Sequence, residues 1–339
     1  MSLIMGTAQA SDVGVFYYPG WTKPGVSDSW EKIRPYKERE PLLGWYKEGS
    51  DAVTKTQISW WKEYGVDYVA YDWYWGKGTG TSHRTFAIDS FIKNSKDSGV
   101  EFTLLWANHT DTPVSYSDFD DVVDYWIRHY FNVPNYKKIN GMPVVFIFSS
   151  DLLKRDAQKF GATPKELLNR ARDAAKRAGF KGIYFVGSAQ PNKQQLLVEL
   201  PEQAYDALSA YNYQYASGQD ISKRSLSNDY KELTAGYLQN WKFIIENSKL
   251  PYIVPVSSGW DDSPWGGSTP KTHDMSVSTP KTFAEHLSEA KSLLISNPEK
   301  TPYGVIVCCW NEFGEGSYVE PTKKFGFKYL EQIKKAFKD

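Results

Sequence analysis

The sequence predicts an α/β protein built as a single (β/α)8 barrel, and three observations lead there. Strand-like and helix-like runs alternate almost without interruption, eight such pairs can be drawn along the 339 residues, and composition does not break between the halves. The first strand, Val13–Tyr18, is followed by a long loop, residues 19–49, rich in aromatic residues and proline. A helix is expected over Asp51–Tyr64, with Ser50 or Asp51 available as cap. The second strand, Val66–Tyr74, leads to a helix over Arg84–Ser98 that Gly99 closes. Glu101–Asn108 pairs with the helix Phe119–Phe131, and Pro143–Phe148 with Pro164–Ala178, where Thr163 caps and Gly179 stops the helix. Ile183–Ala189 precedes a short helix from Lys193 to Gln203, Ala207–Tyr213 precedes Asp229–Asn247, and Tyr252–Ser257 precedes Lys281–Leu294. The eighth strand, Val305–Trp310, begins as a continuous β-branched run of the kind buried on both faces of a parallel sheet, and Phe325–Phe337 is the last helix. Long loops follow strands 1, 6 and 7. A doubly wound sheet, the competing architecture, needs a glycine-rich phosphate turn after its first strand. Here that strand ends in Tyr17-Tyr18-Pro19-Gly20-Trp21.

Residues 1–11 read as a tag or the remnant of a trimmed export signal, because Ala8-Gln9-Ala10 has the small-x-small form of a signal-peptidase site. The domain then runs over residues 12–339, and the expected location is periplasmic, cell-surface or secreted. Forty basic residues balance forty acidic ones, which leaves no electrostatic footprint for nucleic acid or an anionic membrane. No apolar run approaches the roughly 20 residues that span a bilayer. No Cys or His cluster has metal-ligand spacing, so neither a metal nor another cofactor is expected, and the chain is read as a monomer. Cys308 and Cys309 are neighbours in the last strand. Adjacent strand side chains point to opposite faces, so no disulfide between them is expected.

In such a barrel the active site sits on the loops after the strands. Those positions hold Tyr17, Tyr18 and Trp21; Asp72, Trp73, Tyr74 and Trp75; Trp106, Asn108 and His109; Tyr211, Asn212 and Tyr213; Trp260, Asp261 and Asp262; then Trp310, Asn311, Glu312 and Glu315. Aromatic residues make up 16% of the chain, and their gathering at strand ends suits sugar rings, whose C–H faces stack on aromatic faces. The opposite rim is mostly Gly, Lys and Pro, which makes the strand-end face the ligand side. Glu312 and Glu315 are three residues apart, a reach of at most about 10–11 Å, so both carboxyls can address one sugar. Glycoside cleavage needs such a pair, one proton donor and one base or nucleophile. Two nearby carboxyls cannot both ionise freely, so one stays protonated near neutral pH. A separation of about 5–5.5 Å means direct displacement and about 6.5–9.5 Å means inversion through water. Asp72 and Asp261 are placed to bind sugar hydroxyls, or else to make a buried hydrogen bond and an Asx turn respectively. Glu320 joins the substrate-facing set, with a loop ion pair as its alternative. His273, in the long loop after strand 7, lies where a lid would be.

Trp310-Asn311-Glu312-Phe313-Gly314-Glu315-Gly316, running on to Glu320-Pro321, resembles the N-E-W-x-E-G-x-x-x-E-P signature of the endo-α-mannosidase and WbsX-like group, glycoside hydrolase family 99 and its relatives. Gly14-Val15-Phe16-Tyr17-Tyr18-Pro19-Gly20-Trp21, Tyr71-Asp72-Trp73-Tyr74 and Gly259-Trp260-Asp261-Asp262-Ser263-Pro264 are similar to that group's other strand ends. The resemblance implies a (β/α)8 barrel acting on α-mannosides with retention. It implies Glu315 as acid/base at the leaving oxygen, and Glu312 as the base that activates the sugar 2-hydroxyl to form a 1,2-anhydro intermediate. The mannosidases carry Trp and His between the two glutamates, where this chain has Phe313 and Gly314. That places it nearer the WbsX-like branch, whose members occur among genes of polysaccharide assembly or use. The expected activity is therefore that of an endo-acting, α-mannosidase-like glycoside hydrolase on an oligosaccharide or polysaccharide. The alternative is a non-catalytic glycan-binding or polysaccharide-assembly protein.

Overall fold

The computed structural model of the chain describes residues 11–22, 25–26, 28–76, 81–110, 113–213, 215–217, 225–226, 229–269 and 274–339. Eight parallel strands form the frame: β1 (Val13–Tyr17), β2 (Tyr68–Gly76), β3 (Glu101–Trp106), β4 (Met142–Ile147), β5 (Tyr184–Ser188), β6 (Ala207–Ser209), β7 (Val254–Ser257) and β8 (Val305–Cys308). Their order is 7-8-1-2-3-4-5-6. A parallel bridge between Leu208 and Tyr252 returns β6 to β7 and closes the ring. Register is regular around β1, where Val15 lies opposite both Val307 and Val69. Each expected strand overlaps one of these eight, although β2 runs two residues past its expected end and β4 starts one residue early.

Outside the ring lie α1 (Asp51–Tyr64), α2 (Phe86–Asn94), α3 (Tyr116–Trp126), α4 (Ser150–Gln158), α5 (Pro164–Arg177), α6 (Tyr230–Asn247), α7 (Pro280–Ser296) and α8 (Lys328–Phe337). Thr163 and Glu166 make a reciprocal capping box at the start of α5. The second helix ends at Asn94, short of the expected Ser98. The Ser98 N–H and hydroxyl both bond the Ser95 carbonyl, at 3.0 and 2.8 Å, and replace the next helical turn. The fourth helix has no counterpart in the sequence reading. Its buried positions include Ser150 and Asp156, so its apolar period is thin. Where a helix from Lys193 to Gln203 is expected, a π turn over Gln195–Glu199 runs into one α turn, Leu200–Glu202.

Side chains alternate across every strand. Phe16, Tyr68, Ala70, Leu105, Val144, Phe146, Val186 and Ile306 belong to the cluster that fills the barrel. Their strand neighbours Val15, Val69, Tyr71, Phe102, Leu104, Val145 and Val307 belong to the larger cluster under the helices. Gly14 faces inward without a side chain because the Tyr68 ring occupies the place a Cβ would take.

Cys308 and Cys309 form a disulfide across a cis peptide bond, contrary to the expectation from a trans strand. The cis link brings their Cα atoms to 2.9 Å, so the opposite-face argument does not apply to this pair. The leader expected over residues 1–11 lies almost wholly outside the described residues, as does His273. Among the described residues no helix is long and apolar enough to cross a membrane.

Candidate active site

At the C-terminal ends of the strands opens a cavity of about 330 Å³. Tyr18, Asp72, Tyr74, His109, Tyr211, Asn212, Trp260, Glu312 and Glu315 line it, with Phe148, Ser149, Ser188, Gln190 and Trp265. Strand parity delivers the first carboxylate: Asp72 and Tyr74 follow Tyr68 and Ala70 on the inward phase of β2. Beyond β8, Asn311–Glu312 pairs antiparallel with Ser317–Tyr318. A 3-10 turn over Phe313–Glu315 joins the two and ends at Gly316 in a left-handed conformation, φ 65°. This small hairpin presents both glutamates to the cavity.

The Tyr211 hydroxyl lies 2.9 Å from Glu312 Oε1 and 3.2 Å from Asp72 Oδ2. One O–H donates to one carboxylate at a time, so the three groups share protons. Burial raises the Glu312 carboxyl to about 8, the Asp72 charge pushes the same way, and the Tyr211 hydrogen bond and Arg84 oppose them. Burial also holds Asp72 well above the ordinary carboxyl range, with Tyr211 again favouring its ionised form. Glu315 is held well above its usual range by burial first, then by the charges of Glu312 and Asp262. Among the described residues no hydrogen bond or cation offsets those effects at Glu315. Glu312 thus has two neighbours that favour its ionised form, whereas the charges beside Glu315 oppose ionisation.

Tyr211→Phe tests this proton sharing. It removes the bond that favours ionised Glu312, so that carboxyl titrates at higher pH. The acidic limb of the kcat/KM profile is expected to move upward in pH, which a pH–rate series on the variant would measure.

Several residues expected at the substrate instead hold the glutamate hairpin. Asn311 accepts from the Tyr18 N–H at 2.8 Å and donates to the Tyr18 carbonyl at 3.0 Å, so both ends of its amide are engaged. Trp21 stacks on Trp30 at 3.9 Å and donates through Nε1 to the Asn311 carbonyl at 3.1 Å. The Phe313 ring packs into the same cluster. Asp261 is ion-paired with the buried Arg39 at 2.6 Å. Arg39 also donates to the carbonyls of Phe313 at 2.8 Å and of Asp261 at 3.0 Å. The Asp261 N–H in turn donates to the Glu315 carbonyl at 2.6 Å. The turn between the glutamates is therefore gripped from both sides. Glu320 accepts from the Tyr46 hydroxyl at 2.8 Å, buried behind the hairpin, where loss of hydration raises its carboxyl to about 8.

Tyr17, Trp73, Trp106 and Trp310 do not line the cavity, because their strand positions put them in the layer beneath the helices. Trp310 packs edge-on against Trp61 of α1 at 5.2 Å. Tyr213 is buried too, its N–H bonded to the Tyr237 hydroxyl at 2.8 Å and its own hydroxyl to the Ala189 carbonyl at 3.0 Å. Asn108 ties two loops together, donating to the Ser149 carbonyl and accepting from the Ser149 N–H, both at 2.9 Å. Conversely, Phe148, Ser149, Ser188 and Gln190, at or just past the ends of β4 and β5, line the cavity but lie outside the expected site. The strand-end rule applied evenly would have found them. Arg39, Arg84 and Trp265 carry no local signal. Arg84 sits over the Tyr74 ring at 4.8 Å with a positive φ of 60°. Among the described residues no group of three or more His, Cys, Asp and Glu side chains is arranged to hold a metal ion.

Comparison with known proteins agrees with this fold. A GH99 endo-alpha-mannosidase from Bacteroides thetaiotaomicron, solved in complex with bis-tris-propane, superposes with a TM-score of 0.69 at 16% identity, covering 96% of each chain. A structure described as a glycoside hydrolase-like protein matches with a TM-score of 0.70 at 16% identity, covering 99% of this chain and 96% of the other. At such identity these likenesses establish the (β/α)8 fold. The protein WxcX of Xanthomonas campestris pv. campestris is 22% identical over 318 residues. The alignment covers 87% of this chain but 42% of WxcX, so the chain spans less than half the length of that relative. Residues 34–333 match the family described as Glycosyltransferase WbsX, nearly the whole barrel, and the chain belongs to that family.

Proposed function

We propose that the protein is a glycoside hydrolase that cleaves α-linked, mannoside-like glycans with retention. The observation that carries this is the pairing, in one aromatic cavity, of Glu312, whose ionised form Tyr211 and Arg84 favour, with Glu315, which burial and the charges of Glu312 and Asp262 hold toward its protonated form. Glu312 takes the proton of the sugar 2-hydroxyl as O2 attacks the anomeric carbon. The bond to the leaving oxygen breaks, and Glu315 supplies that oxygen with its proton. Water then adds to the anomeric carbon of the 1,2-anhydro sugar, giving a proton to Glu315, while O2 recovers its proton from Glu312. Two inversions make a net retention. Tyr211 holds the Glu312 carboxylate, while Asp72, which competes for the same hydroxyl, raises its proton affinity.

The family's description favours a second reading, transfer to a sugar hydroxyl in place of water, which the same intermediate permits. Incubation with α-linked manno-oligosaccharides, followed by proton NMR of the first-formed anomer, separates the readings. Early α-product supports retaining hydrolysis. Early β-product overturns the anhydro route, longer oligosaccharides indicate transfer, and bound but uncut glycan indicates a binding protein.

A further inference from the structure

Between the two glutamates stand Phe313 and Gly314, and the two have opposite surroundings. Phe313 turns away from the cavity and packs against Trp21, Trp30 and Tyr318. At Gly314 a Cβ would fall inside van der Waals contact of Nε1, Cε2 and Cζ2 of Trp265. The indole therefore lies directly against the bare backbone that links the catalytic pair. A larger residue at position 314 and an indole at this place exclude each other.

Trp265 is held there by its own turn. Ser263–Trp265 is a 3-10 turn with Pro264 inside it, closed by Gly266 in a left-handed conformation at φ 84°. The Trp265 N–H donates to the Asp262 carbonyl at 2.9 Å, and the Arg39–Asp261 pair anchors the segment from below. Despite this fixed seat the side chain is 41% exposed, more than any other tryptophan among the described residues. It lines the same cavity as Trp260 and Glu315. The exposed Lys32 ammonium sits 5.6 Å from the ring centroid, a contact weak enough at an exposed site for a ligand to displace. A rigid indole left in water at the rim of a polar cavity gains from being covered by an apolar face. Sugar rings offer such a face in their axial C–H groups. The indole lies against Gly314 and shares the cavity with Glu315, the proposed donor to the leaving oxygen, so a sugar covering Trp265 falls on the leaving-group side.

We propose that Trp265 is the stacking platform of a leaving-group subsite, so that the leaving group is itself a sugar of an α-linked, mannoside-like chain, and that Gly314 is the space that admits the indole. This rests on the hydrolase reading above and makes the enzyme endo-acting or dependent on oligosaccharide length.

The test compares wild type, Trp265→Ala, Trp265→Phe and Gly314→Ala on two donors, α-mannotetraose and α-mannosyl fluoride, the second lacking a leaving-group sugar. The ratio of kcat/KM for tetraose over fluoride is expected to fall at least about tenfold in Trp265→Ala, mainly through KM. Trp265→Phe should restore most of it, and Gly314→Ala should mimic the loss by evicting the indole. An unchanged ratio in Trp265→Ala overturns the platform while the hydrolase reading stands. Wild-type protein that cuts neither donor overturns the hydrolase reading instead. Calorimetric binding of α-mannotetraose then decides the platform: a tenfold weaker affinity in Trp265→Ala supports it, and equal affinity or no binding by wild type overturns it.

Discussion

Glu315→Gln is expected to lower glycan hydrolysis by roughly 10²–10⁴-fold, with Glu312→Gln close to it in size. The amide keeps the shape of the side chain but can neither give nor take the proton. The two losses should differ in character. A fluoride leaving group needs no protonation, so α-mannosyl fluoride recovers much of the activity of Glu315→Gln and little of that of Glu312→Gln. Neither variant should unfold the barrel, because burial already disfavours charge at both positions. Steady-state kinetics on both donors, beside a thermal melt, measures all of this. Near-wild-type turnover in either variant would remove the glutamate from the mechanism.

Arg39→Met is expected to cost roughly 3–5 kcal/mol of stability, the penalty for leaving a buried carboxylate without its cation. Arg39 is 3% exposed and Asp261 is 7% exposed, so water cannot take over the pairing. Arg39→Lys should recover little, since one ammonium cannot reproduce a planar fork that serves the Asp261 carboxylate and two carbonyls. Adding Asp261→Leu to Arg39→Met should return part of the loss, as removal of the second charge does for buried pairs. Urea denaturation of wild type and the three variants measures these differences. A single-variant change below about 1 kcal/mol would reduce the clamp to an ordinary surface pair.

The barrel was legible because most of its strands are short apolar runs and five of its eight helices carry side-chain caps, signals that act within a few residues. The site was legible only by half. Glu312, Glu315, Asp72, Tyr74 and Tyr211 reach the cavity, whereas Trp73, Trp106 and Trp310 stand on the wrong strand phase. Hydropathy gives no contrast between those phases, since both faces of a barrel strand are buried and here both are aromatic. The one polar residue within the run Tyr68–Trp75, Asp72, marks the inward phase, and counting by twos from it separates Tyr74 from Trp73 and Trp75. No such count reaches Arg39, which meets Asp261 across 222 residues of sequence. Trp265 is equally silent, because its meaning depends on the absence of a side chain at Gly314.

The amide of Asn311 grips the backbone of Tyr18 from 293 residues away. Nearly all of the chain lies inside the loop which that contact closes, and closure entropy rises with its length. Asp72 comes from β2, Tyr211 from the segment after β6, and Glu312 from the hairpin after β8. No contiguous half of the barrel holds all three. An open ring, however much strand pairing it retains, has no proton-sharing cluster at all. Glycan cleavage would thus report completed assembly: a chain still emerging from its ribosome, or one nicked and sprung at the β8–β1 seam, would be inert toward sugars.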